Sequence, residues 1–500
     1  MYLVSWNPLM WPKEFDTYLS KIHDIIESKQ KYETDLHEAE KSRTDLRKIR
    51  RLLANVPTYM ICDDHEITDD WNIDRKWRDS VRNSRIGSQI VANGLVAYWA
   101  FQAWGNDPDS FDEGFIETIQ MYLDLKKQKS LFHFDKTSKV TNLDSDRGDN
   151  EIDRTKTMEN RIWEFKKWTY VAPTYPLSIV LDCRTQREFV NPDGPPVLLN
   201  DVVLEYIRSK VYNSGYKQGD PLVIVSPTPV FGFEHAESVQ RFLTSISGTY
   251  KWDLETWRAN ETGFIKFLTF VSNTFSPDYC VILSGDVHYA FTMKARFDLF
   301  TAGDHTKQFA LDLGNDIPII SSLSFAQLTA SPLRSNSLKK RKLAIMILNL
   351  VHKILLTRKT SKRMGILDAY SDSGYNSNRT SKELKEDIRS TIKNPNYSKH
   401  GKGVSFPTKI KTIFASLINR YLGNKEGRRA DRFPDWRESR ILVTPKGRGT
   451  TPVLANNNIG SVSLNLESRT VEHTLFFLES NEVRSSVAVI EFADRESDTG

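Results

Sequence analysis

Cysteine is scarce in this chain of 500 residues, which contains only Cys62, Cys183 and Cys280. An odd and sparse set argues against a disulfide framework and suits a reducing compartment. Each of the three lies in a short apolar run, so we expect buried thiols in the core. The low count therefore excludes a small disulfide-rich secreted domain and favours a cytoplasmic protein.

The chain also lacks long apolar runs and a strong net charge. No stretch approaches the ~20 apolar residues that cross a membrane. The first residues have neither the basic region nor the cleavage site of a signal peptide. A net charge of +5 is small for this length and indicates little about partners. With 39% hydrophobic residues, the chain can bury a substantial core.

Acidic residues are instead concentrated in one stretch, from Asp63 to Asn72, which holds four Asp, one Glu and one His. It follows the run Val56 to Cys62, whose shortness and apolar character predict a buried strand. Hard cations prefer carboxylate oxygen, and imidazole suits iron and zinc. The stretch is therefore either a metal-binding loop or a solvated turn whose Asp69 or Asp70 caps the next helix.

A second polar cluster follows another short apolar run. Tyr279 to Ser284 predicts a strand, and Gly285, Asp286 and His288 come directly after it. Asp286 and His288 would point the same way if the strand continued through them. Ligand crevices in α/β sheets lie outside the carboxyl ends of strands. Two such strand ends therefore favour a shared site over two ordinary polar strand ends.

A third strand end carries arginine. Ser178 to Cys183 predicts a buried strand, and Asp182, Arg184 and Arg187 lie at its end. Two arginines there suit a bidentate hold on phosphate. The alternative is that arginine and Asp182 form a pair that braces the sheet.

Strands alternating with helices predict an α/β layered core. The predicted helices are Lys29 to Arg51, Asp74 to Asn106, Phe111 to Leu131, Glu261 to Phe275 and Leu343 to Leu356. The further predicted strands are Arg161 to Ala172 (strand or hairpin), Pro221 to Pro229, Tyr289 to Phe297, Phe309 to Leu313, Pro318 to Leu328 (with a turn), Gly460 to Leu466, Val471 to Leu478 and Ser486 to Phe492. Asn142 to Asp153 predicts a solvated loop, and residues 357–411 predict a flexible insertion.

The motif Asp-Asp-His-Glu-Ile-Thr-Asp-Asp-Trp-Asn at residues 63–72 resembles the signature of the alkaline-phosphatase-D-like (PhoD-like) metallophosphoesterases. Ser-Gly-Asp-Val-His-Tyr at residues 284–289 is similar to a later motif of that family. The runs Val91 to Pro108 and Leu181 to Arg187 are similar to further family segments. The resemblance covers about Leu52 to Thr292.

The resemblance implies a calcineurin-like metallophosphoesterase sandwich of two mixed β-sheets flanked by helices. It implies hydrolysis of phosphate mono- or diesters, in small molecules or polymers, by attack of a metal-bound hydroxide. It also implies iron with calcium, whereas the residues alone indicate a hard or borderline cation, with Mn or Zn as alternatives. The expected ligands are Asp63, Asp64, His65, Asp69, Asp286 and His288, and the expected catalytic residues are His288, His65 and Arg184.

The family's first metal motif, Gly-Asp-Gln-x-Tyr, does not occur in this sequence. We therefore expect a sandwich that is incomplete at the N-terminus, with any N-terminal signal in the part upstream. One alternative is a fragment of a split phosphatase that needs a partner chain. Another is a non-catalytic remnant.

Four regions are expected: a helical segment at 1–54, the metallophosphoesterase core at 55–330, a basic helical and flexible insertion at 331–440, and C-terminal strands at 441–500. These last strands are expected to complete the core in antiparallel fashion, as part of a second sheet. The basic run Lys339 to Lys342 and the basic segment 357–411 allow a nucleic-acid or anionic-surface binder as a third hypothesis. No nucleic-acid partner is expected, because the charges of the longer segment are interleaved with Ser and Asn rather than with aromatic residues.

Overall fold

The computed structural model describes residues 29–68, 71–134, 145–190, 194–232, 256–300, 319–333, 361–365, 436–446 and 452–493. The chain divides into two compact units. The first comprises Met1–Ile61 and Ser88–Trp163, and the second comprises Cys62–Gly87 and Glu164–Gly500.

Helices and strands alternate through the middle of the chain, and the described residues after α8 are mainly in strands. The α-helices are α1 (Lys29–Leu53), α2 (Arg75–Asn83), α3 (Arg85–Tyr98), α4 (Trp104–Asn106), α5 (Glu113–Phe134), α6 (Ser145–Trp163), α7 (Asp201–Asn213) and α8 (Glu261–Phe270). The strands are β1 (Tyr170–Ala172), β2 (Leu177–Val180), β3 (Leu222–Ser226), β4 (Cys280–Ser284), β5 (Phe291–Phe300), β6 (Ile319–Thr329), β7 (Ser361–Gly365), β8 (Trp436–Val443), β9 (Asn458–Asn465), β10 (Thr470–Glu479) and β11 (Glu482–Glu491). Short 3-10 turns cover Asp64–Glu66, Pro108–Ser110 and Trp257–Ala259, and π-helical turns cover Trp99–Ala103 and Val271–Phe275.

The first unit is helical in its described part. Helices α3, α5 and α6 each bury apolar residues, which include Leu95, Tyr98, Ile119 and Ile162. A polar contact joins α3 to α6, because the hydroxyl of Ser88 donates to buried Glu159 at 2.8 Å. Apolar residues at helical spacing therefore account for this packing.

The second unit is built on an eight-stranded mixed sheet with the order β1-β2-β3-β4-β6-β5-β8-β7. Strands β2, β3, β4 and β6 run parallel to one another, and the remaining neighbours pair antiparallel. The carboxyl ends of β2, β3 and β4 therefore meet at one edge of the sheet. Ligand crevices of α/β sheets lie at such an edge.

Two layers cover this sheet. On one face, Leu222 and Ile224 of β3 pack in a core that includes the apolar residues of α7 and α8. On the other face, Val223 packs with Val471 and Ile490 of the three-stranded antiparallel sheet β11-β10-β9. Because successive side chains of a strand point to opposite faces, the apolar run Leu222 to Val225 of β3 fits a doubly covered position.

The predicted α/β layering and most of its elements are confirmed, but the second sheet, which the resemblance implies to be mixed, is antiparallel in its three described strands. The runs predicted as strands at Ser178 to Cys183, Pro221 to Pro229 and Tyr279 to Ser284 contain β2, β3 and β4, although β2 ends at Val180 and β3 at Ser226, before the predicted ends. The C-terminal runs are β9, β10 and β11. The segment Pro318 to Leu328, predicted to contain a turn, is the single strand β6. Strand β7 and most of β8, both in the core sheet, lie in the region expected as an insertion at 331–440, and the region 441–500 contributes the end of β8 and the second sheet of β9 to β11.

The predicted buried strand Val56 to Cys62 is wrong. These residues form no strand, and Val56 and Tyr59 are 50% and 41% exposed. The side chain of Asn106 takes the place of a neighbouring strand: its Oδ1 accepts from the amide of Met60 at 3.0 Å, and its Nδ2 donates to the Met60 carbonyl at 2.8 Å. Only Cys62, at the end of the run, is buried.

The helix predicted from Asp74 to Asn106 is interrupted. Ser84 has an extended ψ of 125°, which ends α2, and its Oγ accepts from the amide of Gly87 in α3. A serine that caps the following helix in this way competes with continuation of the preceding one.

Two further predictions between residues 142 and 172 are wrong in part. Helix α6 begins at Ser145, so most of the segment predicted as a solvated loop, Asn142 to Asp153, is helical. Its Gly148 costs a helix about 1 kcal/mol, which buried Met158 and Ile162 farther along α6 offset. The strand predicted from Arg161 is confined to β1, because α6 extends through Trp163.

Several predictions fall on residues outside the described ranges. These are the strand Phe309 to Leu313, the basic run Lys339 to Lys342, the helix Leu343 to Leu356, and all of segment 357–411 except β7. Among the helices that are described, none combines the length and apolar character needed to cross a membrane.

Candidate metal centre

The acidic loop begins with a single 3-10 turn, Asp64–Glu66. The carboxylate of Glu66 accepts a hydrogen bond from the backbone N–H of Asp63 at 2.6 Å. The indole N–H of Trp71 donates to the carbonyl of Asp63 at 3.4 Å. Asp64 is buried and Asp63 is half-buried. The turn thus fixes two adjacent carboxylates in a partly water-excluded position.

Asp286 lies in a tight turn beyond β4. Its φ is +64°, and the amide of Val287 donates to the carbonyl of Gly285 at 2.7 Å. A hydrogen bond between residues two apart around a positive φ is the pattern of a classic γ-turn, which is rare and strained. Strained non-glycine residues concentrate at functional sites. The strand does not continue through Asp286 and His288, which was the condition for the two side chains to point the same way, since β4 ends at Ser284 as predicted.

Carboxylate oxygens of Asp63, Asp64 and Asp286 lie within 4.8 Å of one another. More than 200 residues separate the two segments in the sequence. Within the described part of the chain, these three form the single group of His, Cys, Asp or Glu side chains that could hold a metal ion. The donor set is entirely carboxylate oxygen, which fits hard cations such as Ca²⁺, Mn²⁺ or Fe³⁺.

Arg184 joins the acidic loop to the end of β2. Its Nη2 lies 3.7 Å from Asp63 Oδ1 and 3.8 Å from Asp64 Oδ2. Its Nη1 donates to the carbonyl of Trp71 at 3.2 Å, and its own carbonyl accepts from Asn72 Nδ2 at 2.7 Å. Because Arg184 is 4% exposed, this guanidinium is a buried positive charge beside two of the three carboxylates.

Arg187 strengthens the same junction. Its Nη1 donates to the carbonyl of Asn72 at 3.2 Å, and its Nε donates to the carbonyl of Cys183 at 3.0 Å. The two turns, at residues 71–72 and 183–187, are therefore cross-linked by three hydrogen bonds to backbone carbonyls. We call this junction the arginine clasp.

The carboxylate of Asp182 stabilises the turn at residues 183–187 by accepting hydrogen bonds from it. Its Oδ1 accepts from the amides of Arg184 and Thr185 at 3.0 and 2.9 Å, and its Oδ2 accepts from the Thr185 hydroxyl. Burial raises the pKa of this carboxyl, although the hydrogen bonds from Thr185 and Arg184 act in the opposite direction. This is the pattern of a carboxylate that caps its own loop.

The thiols near the centre are held neutral. Burial, with the nearby charges of Asp182 and Glu66, raises the pKa of Cys62 well above its usual range. Burial also raises the pKa of Cys183 to about 12. Since the thiolate is the form that binds metals, these two cysteines fit the core rather than the centre, as the sequence predicts.

The structure brings together three of the six predicted ligands. His288 is described and half-buried, but it is not a member of the carboxylate group. The side chain of His65 and the whole of Asp69 lie outside the described residues. Arg184, predicted as catalytic, lies against the carboxylates of Asp63 and Asp64.

Sequence reasoning missed the part that Asn72 plays. Asn72 is 2% exposed, has a φ of +57°, and supplies one hydrogen bond of the arginine clasp. Asparagine is one of the few residues besides glycine that visits left-handed backbone conformations. Its position after Trp71 at the end of the acidic stretch was the available signal.

We compared the chain with models of protein families, with curated proteins and with solved structures, and found no match. The candidate metal centre therefore stands on the geometry of its own residues.

Proposed function

We propose that this chain is a metal-dependent phosphoesterase that hydrolyses phosphate mono- or diesters at the cluster of Asp63, Asp64 and Asp286. The observation that carries the proposal is the meeting of these carboxylates within 4.8 Å, since each lies in a motif that resembles the PhoD-like metallophosphoesterases. The position of the cluster beyond the end of β4 supports it as well. The proposal includes a calcineurin-like metallophosphoesterase fold for the second unit.

The three carboxylates would supply ligands to the metal, with iron and calcium as the proposed pair and Mn or Zn as alternatives. A pair of cations would need further ligands beyond these three. When bound, the cation would supply positive charge that polarises a phosphoryl oxygen and acidifies a water molecule. Arg184 holds Asp63 and Asp64 in place through its guanidinium. The γ-turn at Asp286 holds the third carboxylate against them.

We assign His288 the role of proton donor to the leaving oxygen. His288 follows Asp286 by two residues and lies in the next tight turn, where the amide of Tyr289 donates to the carbonyl of Val287 at 2.7 Å. It is half-buried, so its ring is accessible in part to solvent and substrate. Histidine suits this role because it exchanges a proton near neutral pH.

The test is hydrolysis of p-nitrophenyl phosphate and bis(p-nitrophenyl) phosphate by the full chain in the presence of Mn²⁺, Zn²⁺, or Fe with Ca²⁺. We expect metal-dependent turnover that falls at least about a hundredfold in D286N, because loss of a ligand exceeds the ~10–100-fold effect of losing an outer partner. The matched control is D79N, since Asp79 is an exposed carboxylate on α2 paired with Arg75. Equal turnover in D286N and D79N would exclude this cluster as the catalytic site.

A second candidate function is a non-catalytic metal-binding remnant, or one part of a split phosphatase completed by a partner chain. It is favoured by the donor count, because a dinuclear centre needs more ligands than three carboxylates and the described residues hold no second group of this kind. Binding of one cation per chain without turnover under any of the metal conditions would support it. Two bound cations per chain with turnover would exclude it.

A further inference from the structure

The guanidinium of Arg184 is fixed in place rather than free to follow a ligand. Its amide donates to Asp182 at 3.0 Å, its carbonyl accepts from Asn72 at 2.7 Å, and its Nη1 donates to Trp71 at 3.2 Å. The residue is 4% exposed. Contacts at the backbone and at the tip of the side chain therefore hold the charge at one location.

That location is beside the carboxylates of the candidate metal centre. Arg184 Nη2 lies 3.7 Å from Asp63 Oδ1 and 3.8 Å from Asp64 Oδ2. Asp63 and Asp64 are the two residues whose carboxylates group with that of Asp286. Three ionised carboxylates and one guanidinium carry a net charge of −2. A single divalent cation would neutralise this net charge, whereas a trivalent cation would leave an excess positive charge.

We propose that Arg184 selects the charge of the bound cation and makes the centre prefer a divalent over a trivalent ion. This inference rests on the proposed metal-dependent function. The physical reason is that the guanidinium repels a bound cation in proportion to the charge of that cation. Because Arg184 is 4% exposed, its charge is screened less by solvent than the charge of a surface arginine would be.

The experiment compares Ca²⁺ with Tb³⁺, a trivalent ion of similar size, in the full chain and three variants. Ca²⁺ affinity is measured by isothermal titration calorimetry, and Tb³⁺ affinity by its luminescence on excitation of tryptophan. R184Q removes the charge, and R184K retains it. R187Q is the matched control, since Arg187 donates to the same two turns through the carbonyls of Cys183 and Asn72.

In R184Q we expect the ratio of Tb³⁺ to Ca²⁺ affinity to rise on the order of tenfold or more. In R184K and R187Q the ratio of the two affinities should stay within about twofold of the wild-type value. Both affinities can fall together in these variants, because each weakens the arginine clasp. A purely structural role for Arg184 would lower both affinities and leave their ratio unchanged. Circular dichroism of each variant establishes that it is folded before the ratio is compared.

An unchanged ratio in folded R184Q would overturn this inference and leave the proposed function intact. Failure of the wild-type chain to bind either ion would overturn both. If R184Q does not fold, R184M replaces it as the variant without the charge, and its ratio of Tb³⁺ to Ca²⁺ affinity is compared with that of R184K. The expected rise in R184M is the same as in R184Q.

Discussion

Single residues with unusual backbone angles hold the two halves of the candidate centre. Asn72 has a φ of +57° and Asp286 a φ of +64°, and neither is glycine. Both angles place the residue in the left-handed region, where a side chain costs energy. Each residue also makes a contact that a glycine could not make: Asn72 bonds to Arg184, and Asp286 supplies a carboxylate. The strained backbone conformations of Asn72 and Asp286 therefore occur at residues that form the arginine clasp and the candidate metal centre.

The two roles of Asn72 can be separated by substitution. N72G loses the hydrogen bond to the Arg184 carbonyl, which we expect to cost about 1–2 kcal/mol. N72A loses the same bond and also places a β-carbon in the left-handed region, which adds about 1 kcal/mol. We therefore predict that N72A is less stable than N72G in urea denaturation. Equal stability of the two variants would show that the backbone conformation at residue 72 carries no strain.

The residues of the candidate metal centre could be predicted from the sequence only in part. The carboxylates of Asp63, Asp64 and Asp286 follow from their types and from their places beside apolar runs. The contacts of Arg184 with Asp63 and Asp64 could not be foreseen, because they depend on how two loops more than 100 residues apart approach each other. A side chain at a strand end can equally face solvent or a neighbouring loop.

At the scale of elements, the second sheet is attached to the core sheet through a buried histidine. His473 of β10 is 2% exposed, and its Nδ1 lies 2.8 Å from Thr292 Oγ1 of β5. A β-carbon on Gly460 of β9 would lie 3.1 Å from His473 Nε2, so the glycine leaves space for the ring. Burial lowers the pKa of His473 to about 4.

This pKa predicts acid sensitivity of the attachment. The ordinary value for histidine is 6.5, so between about pH 4 and 6.5 the unfolded chain binds more protons than the folded one. Stability is therefore complete above pH 6.5 and falls as the pH decreases, by about 3 kcal/mol at pH 4. In H473Q we expect this part of the pH dependence to disappear from urea denaturation curves measured between pH 4 and 7. The exposed His37 of α1 provides the control variant H37Q, whose curves should retain the wild-type slope.

The segment before the acidic loop depends on one side chain rather than on a sheet. We predict that N106A exposes the amide of Met60, since Asn106 Oδ1 is its acceptor at 3.0 Å. Hydrogen exchange followed by mass spectrometry should show faster exchange at Met60 and little change in β3. Unchanged protection of Met60 would mean that another group accepts this hydrogen bond.

The same segment shows what the sequence could and could not predict about elements. The runs that became β2, β3 and β4 were predictable because each is mostly apolar, and residues of β3 and β4 are buried on both faces of the sheet. The run Val56 to Cys62 has a similar composition but finds its partner in the side chain of Asn106, 46 residues away. Composition alone does not distinguish a strand neighbour from a side chain that imitates one.

For the whole molecule, parallel strand order brings the polar ends of β2 and β4 to one edge of the sheet. The acidic loop joins this edge through the arginine clasp, all within the second unit. The central claim of this account is that the carboxylates so assembled bind a cation. The claim concerns binding and is independent of the reaction that the cation would serve.

The most direct test is calorimetric titration of the full chain with Mn²⁺, compared across wild type, D64N, D286N and D79N. We predict saturable binding by wild type and D79N, and a loss of at least about tenfold in affinity in both D64N and D286N, because each variant removes one of the three clustered carboxylates. Absence of saturable binding by wild type, or equal affinity in all four proteins, would contradict the account.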